Sequence, residues 1–398
     1  MFYPFLVLLL CPGIHSALIV PKILFTYQSQ DVSFPQWTVF FTTCLAPLIA
    51  HVAGGVVSPT ILGSPSQGPT RISYLTHFNP ISIIWRYYII IDRRVRARSW
   101  DQCDMAACNA VFWDAERKRW DGSEEIMVRS RAWITKMPEK PHVRLLSASS
   151  FTTLVQTVQG AQIMFYIIEG YIAGSEHIPQ GLPGVFAGLQ LLGLIRLFAS
   201  LWLSSDYSYM NFRGTDLVLE ISETPLESHV SKNILEARVS NHLLEVDARD
   251  RLLPLHCWQG ILYRAFWLLT IWGILGPAAG ACSQVFWNYP QGVPYEPATR
   301  LVWQIMYFAL SLFGISIHTF YIIRGKTHST IIPCIHQSWY RIFTIFLFIM
   351  VVICTVFSCL ETRVRLLDGA VTTLPELLCG EAGALCFPVG KGQGNTNV

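Results

Sequence analysis

Hydrophobic residues in this chain fall into long runs separated by a few dense polar stretches, and the run lengths predict membrane-spanning helices. Met1 to Val20 holds no Asp, Glu, Lys or Arg before Lys22. No basic segment precedes it and Pro4 and Pro12 interrupt it, so it reads as an uncleaved first span rather than a signal peptide. Gln36 to Val57 is equally free of charge and contains Pro47, His51 and Gly54-Gly55, which predicts a second span. Ser58 to Thr76 is rich in Pro, Gly and Ser and predicts a loop. Further apolar runs at Leu145 to Ala173, Gly184 to Ser204, Ile261 to Cys282, Leu301 to Ile323 and Ile342 to Leu360 predict five more spans. A bilayer crossing takes about 20 apolar residues. The fold class expected is therefore an all-α integral membrane protein of about seven transmembrane helices, with interfacial amphipathic helices. The count becomes eight if Ile81 to Ile91, a short run interrupted by Arg86, also crosses.

The polar stretches give the rest of the plan. Asn79-Pro80 supplies a helix cap followed by Pro in the first turn. The helix is expected to run past Asp92 into RRVRARSW along the membrane surface. Asp101, Asp104 and Cys108 follow at spacings that share a helix face. Asp121-Gly122 opens a second amphipathic helix, with Glu124 placed as in a capping box. Segments 1–78, 79–144, 145–204, 205–257, 258–360 and 361–398 are then two spans, a Trp-rich charged segment, two spans, an acidic loop with a surface helix over Ser231 to Asp250, three spans and a disordered tail. Lys and Arg number twelve from Arg93 to Arg144, and none occurs in Gly174 to Pro183 or Ser283 to Thr299. That alternation puts the charged segment and the acidic loop in the cytosol and the C-terminal tail in the lumen. Endoplasmic reticulum is the expected membrane, and Cys379 and Cys386 would face its oxidising side, where pairing is open to them.

Composition agrees. Of the 398 residues 52% are hydrophobic and only 14% charged, with mean hydropathy +0.39, against about a quarter charged in soluble domains. A net charge of +3 gives no footing for nucleic acid. The eleven cysteines form no CxxC pair or zinc-like spacing, and no GxSxG, P-loop or strand–GxGxxG–helix pattern occurs. No metal and no cofactor is expected.

Candidate chemistry rests on ionisable residues in or beside spans, which are costly there. Glu169, in FYIIEGY, suits a carboxylic acid kept protonated by apolar surroundings; the plainer alternative is a hydrated residue at the span end. Asp206, in SSDYSY, has the same two readings. Asp101 and Asp104 form a DxxD that suits either a magnesium-bound diphosphate or a solvated helix face with pairs such as Asp92 to Arg96. Arg196 and Arg264 suit pairing with such acids or snorkelling. His318, in ISIHTFYII, resembles the embedded histidine of membrane-bound O-acyltransferases; a hydrogen-bonded packing residue is the more frequent role. His328 and His336 are too far apart for a helical metal pair.

The runs HFNPISIIWRYYIIIDRRVRARSWDQCDMAACNAVFWD, RWDGSEEIMVRSRAWITK, DYSY and HSTIIPCIHQSWY, with ETRVRLLDGAVTTLPE near the end, carry a family resemblance over about His51 to Glu376. The chain resembles fungal membrane-bound terpene cyclases of the ascofuranone-cyclase type, which act in meroterpenoid pathways. The resemblance implies cyclisation of a farnesylated chain, started by protonation of an epoxide or terminal alkene. Such chemistry takes a protonated acid, a water-poor pocket and aromatic faces. Glu169, Asp101 or Asp104 is the expected acid. Trp85, Tyr88, Trp100 and Trp113 are the candidate cation stabilisers, with an interfacial aromatic belt as their alternative. The expected partners are membrane lipid and a lipophilic prenylated substrate. A scaffold or transporter, and an acyltransferase built on His318, are the rival functions.

Overall fold

The computed structural model describes residues 22–24, 51, 55–62, 68–115, 117–144, 146–173, 187–209, 251–287, 295–361, 366–367 and 370–371, and these are mostly helical. Everything is built around a central helix, Pro80–Arg96. Its start follows the sequence: Asn79 Oδ1 accepts from the Ile81 amide at 3.0 Å and Pro occupies the first turn. Its last turn carries Arg93, Arg94 and Arg96, which complement the negative end of the helix dipole.

The surroundings of this helix differ from expectation. Fourteen of its seventeen residues are buried, including Arg86, Asp92, Arg93 and Arg96, so it does not lie along an interface. The physical reason is that partners reach its charges from distant parts of the chain. Asp92 Oδ2 accepts from Arg96 Nε at 2.8 Å and Oδ1 from Arg264 Nε at 3.3 Å. Arg96 also binds Glu124 and donates to Leu253 O at 2.9 Å. Arg93 Nη2 donates to Gly122 O at 2.5 Å and His328 O at 2.8 Å. Buried charge is tolerated only when matched in this way. The expected solvated Asp92–Arg96 pair is real, and it is in the interior.

Among the described residues, three helices are long and apolar enough to cross a membrane, within Trp258–Ser283, Leu301–Ile323 and Ser338–Val356. Their full extents are Trp258–Trp287, Ala298–Ile323 and Ser338–Glu361. The first continues through Pro277, so Gly276-Pro277 does not break it. Leu262, Leu269, Trp272, Ile349 and Val352 point outward and are more than half exposed. An exposed apolar belt around a buried charged helix inverts the soluble pattern and fits a hydrocarbon surround.

The Ala148–Ala173 helix has the length to cross, with Gln156, Gln159 and Gln162 diluting its apolar run. The run Gly184 to Ser204 forms a helix only over Ala187–Ala199, followed by a 3-10 turn at Ser200–Trp202. These two helices cross closely: a Cβ on Gly160 would sit 2.6 Å from Gln190 O, and one on Gly193 2.7 Å from the Gln156 carbonyl carbon. The spans expected at 1–20 and 36–57, apart from His51 and 55–57, lie outside the described residues, as do Ser231 to Asp250 and Cys379 and Cys386.

The charged segment contains strands as well as helices. Pro59–Leu62 pairs parallel to Val111–Asp114, which pairs antiparallel to Arg119–Asp121 with Trp113 opposite Trp120. Ile134–Lys136 pairs with Ser208–Tyr209. These strands are too short for a period-two pattern to stand out in the sequence. The second amphipathic helix is Glu124–Arg129, and Ser123 rather than Asp121 caps it, accepting from the Ile126 amide at 3.2 Å. Asp121 instead accepts from the Ser123 amide at 2.9 Å.

Candidate functional site

Where the central helix meets the 258–287 and 298–323 helices, their side chains form an aromatic box. Trp85 and Tyr88, both fully buried, lie with ring centroids 5.4 Å apart. Tyr88 stacks on Tyr263 at 5.7 Å and leans on Trp267 at 5.3 Å. Trp85 faces His318 at 5.5 Å and Tyr321 at 6.0 Å. The spacing has a simple origin: Tyr263 and Trp267 are one helical turn apart, as are Trp85 and Tyr88, so each pair shares a face.

Among the described residues, three polar atoms in the box have no hydrogen-bond partner: Tyr88 Oη, Trp267 Nε1 and His318 Nε2. His318 is completely buried, and its Nδ1 lies 2.8 Å from Gly314 O. A carbonyl oxygen only accepts, so Nδ1 carries the proton and Nε2 presents a free lone pair. Buried polar atoms without partners are costly in a finished core. Electron-rich ring faces beside an unused donor and an unused base suit a guest that develops positive charge and then loses a proton.

The residues named from sequence go to different places. Trp85 and Tyr88 are in the box. Trp100 is half-buried elsewhere, with Nε1 donating to Pro141 O at 3.1 Å and the Arg94 guanidinium 5.8 Å from its ring centroid. Trp113 lies in the small sheet, edge-on to Trp120 at 4.9 Å. Arg196 is buried between helices, donating to Thr153 Oγ1 at 3.0 Å and Tyr87 Oη at 3.1 Å. Asp206 is exposed and paired with Lys136. Glu169 is in the 148–173 helix, and its side chain lies outside the described ones.

The DxxD is neither a solvated helix face nor an open chelating pair. Asp101 is the N-cap of Gln102–Asn109, and it forms a reciprocal capping box with Asp104: Asp101 Oδ1 accepts from the Asp104 amide at 2.9 Å, and Asp104 Oδ2 from the Asp101 amide at 3.1 Å. Arg131 then grips both carboxylates, and Arg251 Nη1 donates to Asp104 Oδ2 at 2.8 Å. Partial burial works to raise Asp101, but hydrogen bonds from Arg131 and the Asp104 amide, with the charges of Arg131 and Arg251, hold it below the usual carboxylate range. Burial pushes Asp104 up, against those same arginines. Among the described residues no group of three or more His, Cys, Asp or Glu could hold a metal ion.

Sequence reasoning did not single out Tyr263, Trp267 or Tyr321, which complete the box; Glu124, read as a helix-capping residue, joins the buried charge network instead. The four-residue spacing of Tyr263 and Trp267 was the available signal. Comparison with protein-family models, curated proteins and solved structures returns no match.

Proposed function

We propose that this chain is a membrane-embedded isomerase that closes rings on a lipophilic prenylated substrate by a cationic route, as a multi-pass protein of the endoplasmic reticulum. The observation that carries the reading is the box of Trp85, Tyr88, Tyr263, Trp267 and Tyr321 around the unpartnered Nε2 of His318. In the proposed reaction an acid protonates an epoxide oxygen or a terminal alkene of the substrate. The nearest double bond then supplies its π electrons to the cationic carbon, a C–C bond forms and the charge moves along the chain. Loss of a proton to a base restores a double bond, so product and substrate are isomers. Ring faces in a water-poor interior stabilise the travelling charge, and His318 Nε2 has the free lone pair to take the final proton. Asp101, Asp104 and Asp206 are engaged in ion pairs, which leaves Glu169 as the acid in this scheme. Trp85 and Trp267 are fully buried, so substrate entry takes a parting of the 258–287 and 298–323 helices from within the bilayer.

The test uses microsomes containing the full chain, incubated with farnesylated phenols with and without a terminal epoxide, in the presence and absence of EDTA. Mass spectrometry should find an isomeric product that survives EDTA and is lost in Glu169→Gln and Trp267→Leu. If none of these substrates is converted, the proposal fails. A product abolished by EDTA would replace the acid-initiated route with a metal-dependent one.

A second reading, acyl transfer to a lipophilic alcohol, is favoured by one observation: His318 is held through Nδ1 with Nε2 free, the arrangement of a general base. Transfer from a thioester donor in these microsomes, lost in His318→Ala, would support it. Transfer undiminished in that variant would end it.

A further inference from the structure

On the far side of Trp85 the central helix carries a second unusual group, Arg86. Its residue is 7% exposed, yet its hydrogen bonds go to neutral oxygens, from Nη1 to Gly55 O at 2.9 Å and from Nη2 to Asn109 Oδ1 at 3.4 Å. Its Nε has no partner. Among the described residues no carboxylate pairs with it, and no Asp or Glu occurs anywhere in the chain between Asp31 and Asp92. The neighbouring Asp92 is already shared between Arg96 and Arg264. A buried guanidinium without a counter-charge is disfavoured.

Arg86 borders a cavity of about 20 Å³, lined also by Gly55, His77, Ser82, Val111 and Thr330. That is room for one water-sized guest. His77 brings a second unpartnered nitrogen, Nε2, to the same lining. Burial first, and the Arg86 charge second, hold His77 down to about 3, so its ring is neutral at physiological pH and offers one N–H. Two residues that line this space, one of them a buried cation, thus each carry a nitrogen without a partner among the described residues.

We propose that this cavity is a binding site for one small monovalent anionic group, a halide ion or a single carboxylate oxygen, with Arg86 as counter-charge and His77 as second donor. The site is independent of the ring-closure reading, and its test reads stability instead of turnover. The full chain, purified in non-ionic detergent and chloride-free buffer, is heated with increasing chloride in one arm and increasing decanoate in another. Either anion should raise the unfolding midpoint by a few degrees. A response to chloride identifies a free ion as the guest, and a response to decanoate alone identifies the head of a lipophilic acid. Arg86→Met should lose the response, and Arg86→Lys should keep a weaker one. If Arg86→Met does not fold, His77→Phe serves: losing one donor should move the half-maximal concentration up about tenfold. No shift with either anion, or an undiminished shift in Arg86→Met or His77→Phe, overturns the proposal.

Discussion

Replacing Asp92 by Asn tests whether buried charge pairing holds the helices together. Asp92 is fully buried and receives two guanidiniums, Arg96 Nε at 2.8 Å and Arg264 Nε at 3.3 Å. Asn is nearly isosteric, so packing is kept while the negative charge goes and an NH2 group faces two cations. Arg96 retains Glu124 and Leu253 O. Among the described residues Arg264 retains Leu255 O at 2.9 Å, and its Nη2 has no partner there. Removing one member of a buried pair costs about 3–5 kcal/mol. The surviving Arg96–Glu124 pair puts the expected value at the lower end, about 3 kcal/mol, or roughly a hundredfold in the folding equilibrium. The assay is denaturant unfolding of the full chain in mild detergent, followed by tryptophan fluorescence. The double variant Asp92→Leu/Arg264→Met, which removes both charges, should regain much of the loss, because matched apolar replacements of buried pairs are often neutral. An Asp92→Asn protein within about 1 kcal/mol of wild type would refute the reasoning, since an uncompensated buried guanidinium cannot be that cheap.

Other outcomes follow from the same geometry. Arg131→Ala removes the grip on Asp101 and Asp104, leaving Arg251 as partner of the buried Asp104; the expected cost is about 2 kcal/mol, read as a lower unfolding midpoint and faster tryptic cleavage after Arg98. Gly193→Ala would drive a methyl group to 2.7 Å from the Gln156 carbonyl carbon, where backbone cannot yield; it should cost about 1–3 kcal/mol in the same unfolding measurement, whereas Gly273→Ala, which meets nothing within 4 Å, should stay close to wild type. Asp101 titrates below its ordinary value in the folded protein, so folding favours its ionised form. Its contribution is complete above the unfolded-state value near 4 and is lost as pH falls through the lower folded value. Stability scans between pH 7 and 3 should therefore show a shallower acid loss in Asp101→Asn than in wild type, and parallel curves would contradict the assignment.

The long apolar helices were legible because an uninterrupted hydrophobic run has few alternatives. Ile261, Leu301 and Ile342 as expected starts fall within one turn of the observed Trp258, Ala298 and Ser338. The position of the central helix was not legible. Five charged residues in one helix read as a surface element, and the partners that reverse this reading are far away in sequence: Gly122 is 29 residues from Arg93, His328 is 235 from it, and Arg264 is 172 from Asp92. The DxxD was visible as a motif, but Arg131 and Arg251, which occupy it, share no local pattern with it. Among the aromatics, Trp85 and Tyr88 stood out because they sit in a charged segment. Tyr263, Trp267 and Tyr321 did not, because an aromatic ring inside an apolar run looks like any other packing residue. Trp100 and Trp113 had the same polar context as Trp85, and that context does not distinguish a bundle interior from a sheet.

The 172 residues between Asp92 and Arg264 also set a clock on synthesis. At about 5–20 residues per second, Arg264 is made roughly 10 to 35 s after Asp92. During that interval Asp92 lacks Arg264 and Arg93 lacks the His328 carbonyl, and Arg96 waits for Leu253 until shortly before its end. Each unmatched charge at a helix centre costs about 2.5–3.5 kcal/mol to place in hydrocarbon. The central helix therefore waits outside the hydrocarbon until the 258–287 helix is delivered, and its burial is a late assembly step. A chain stopped before Trp258 lacks both Arg264 and His328, two of the partners that house this helix.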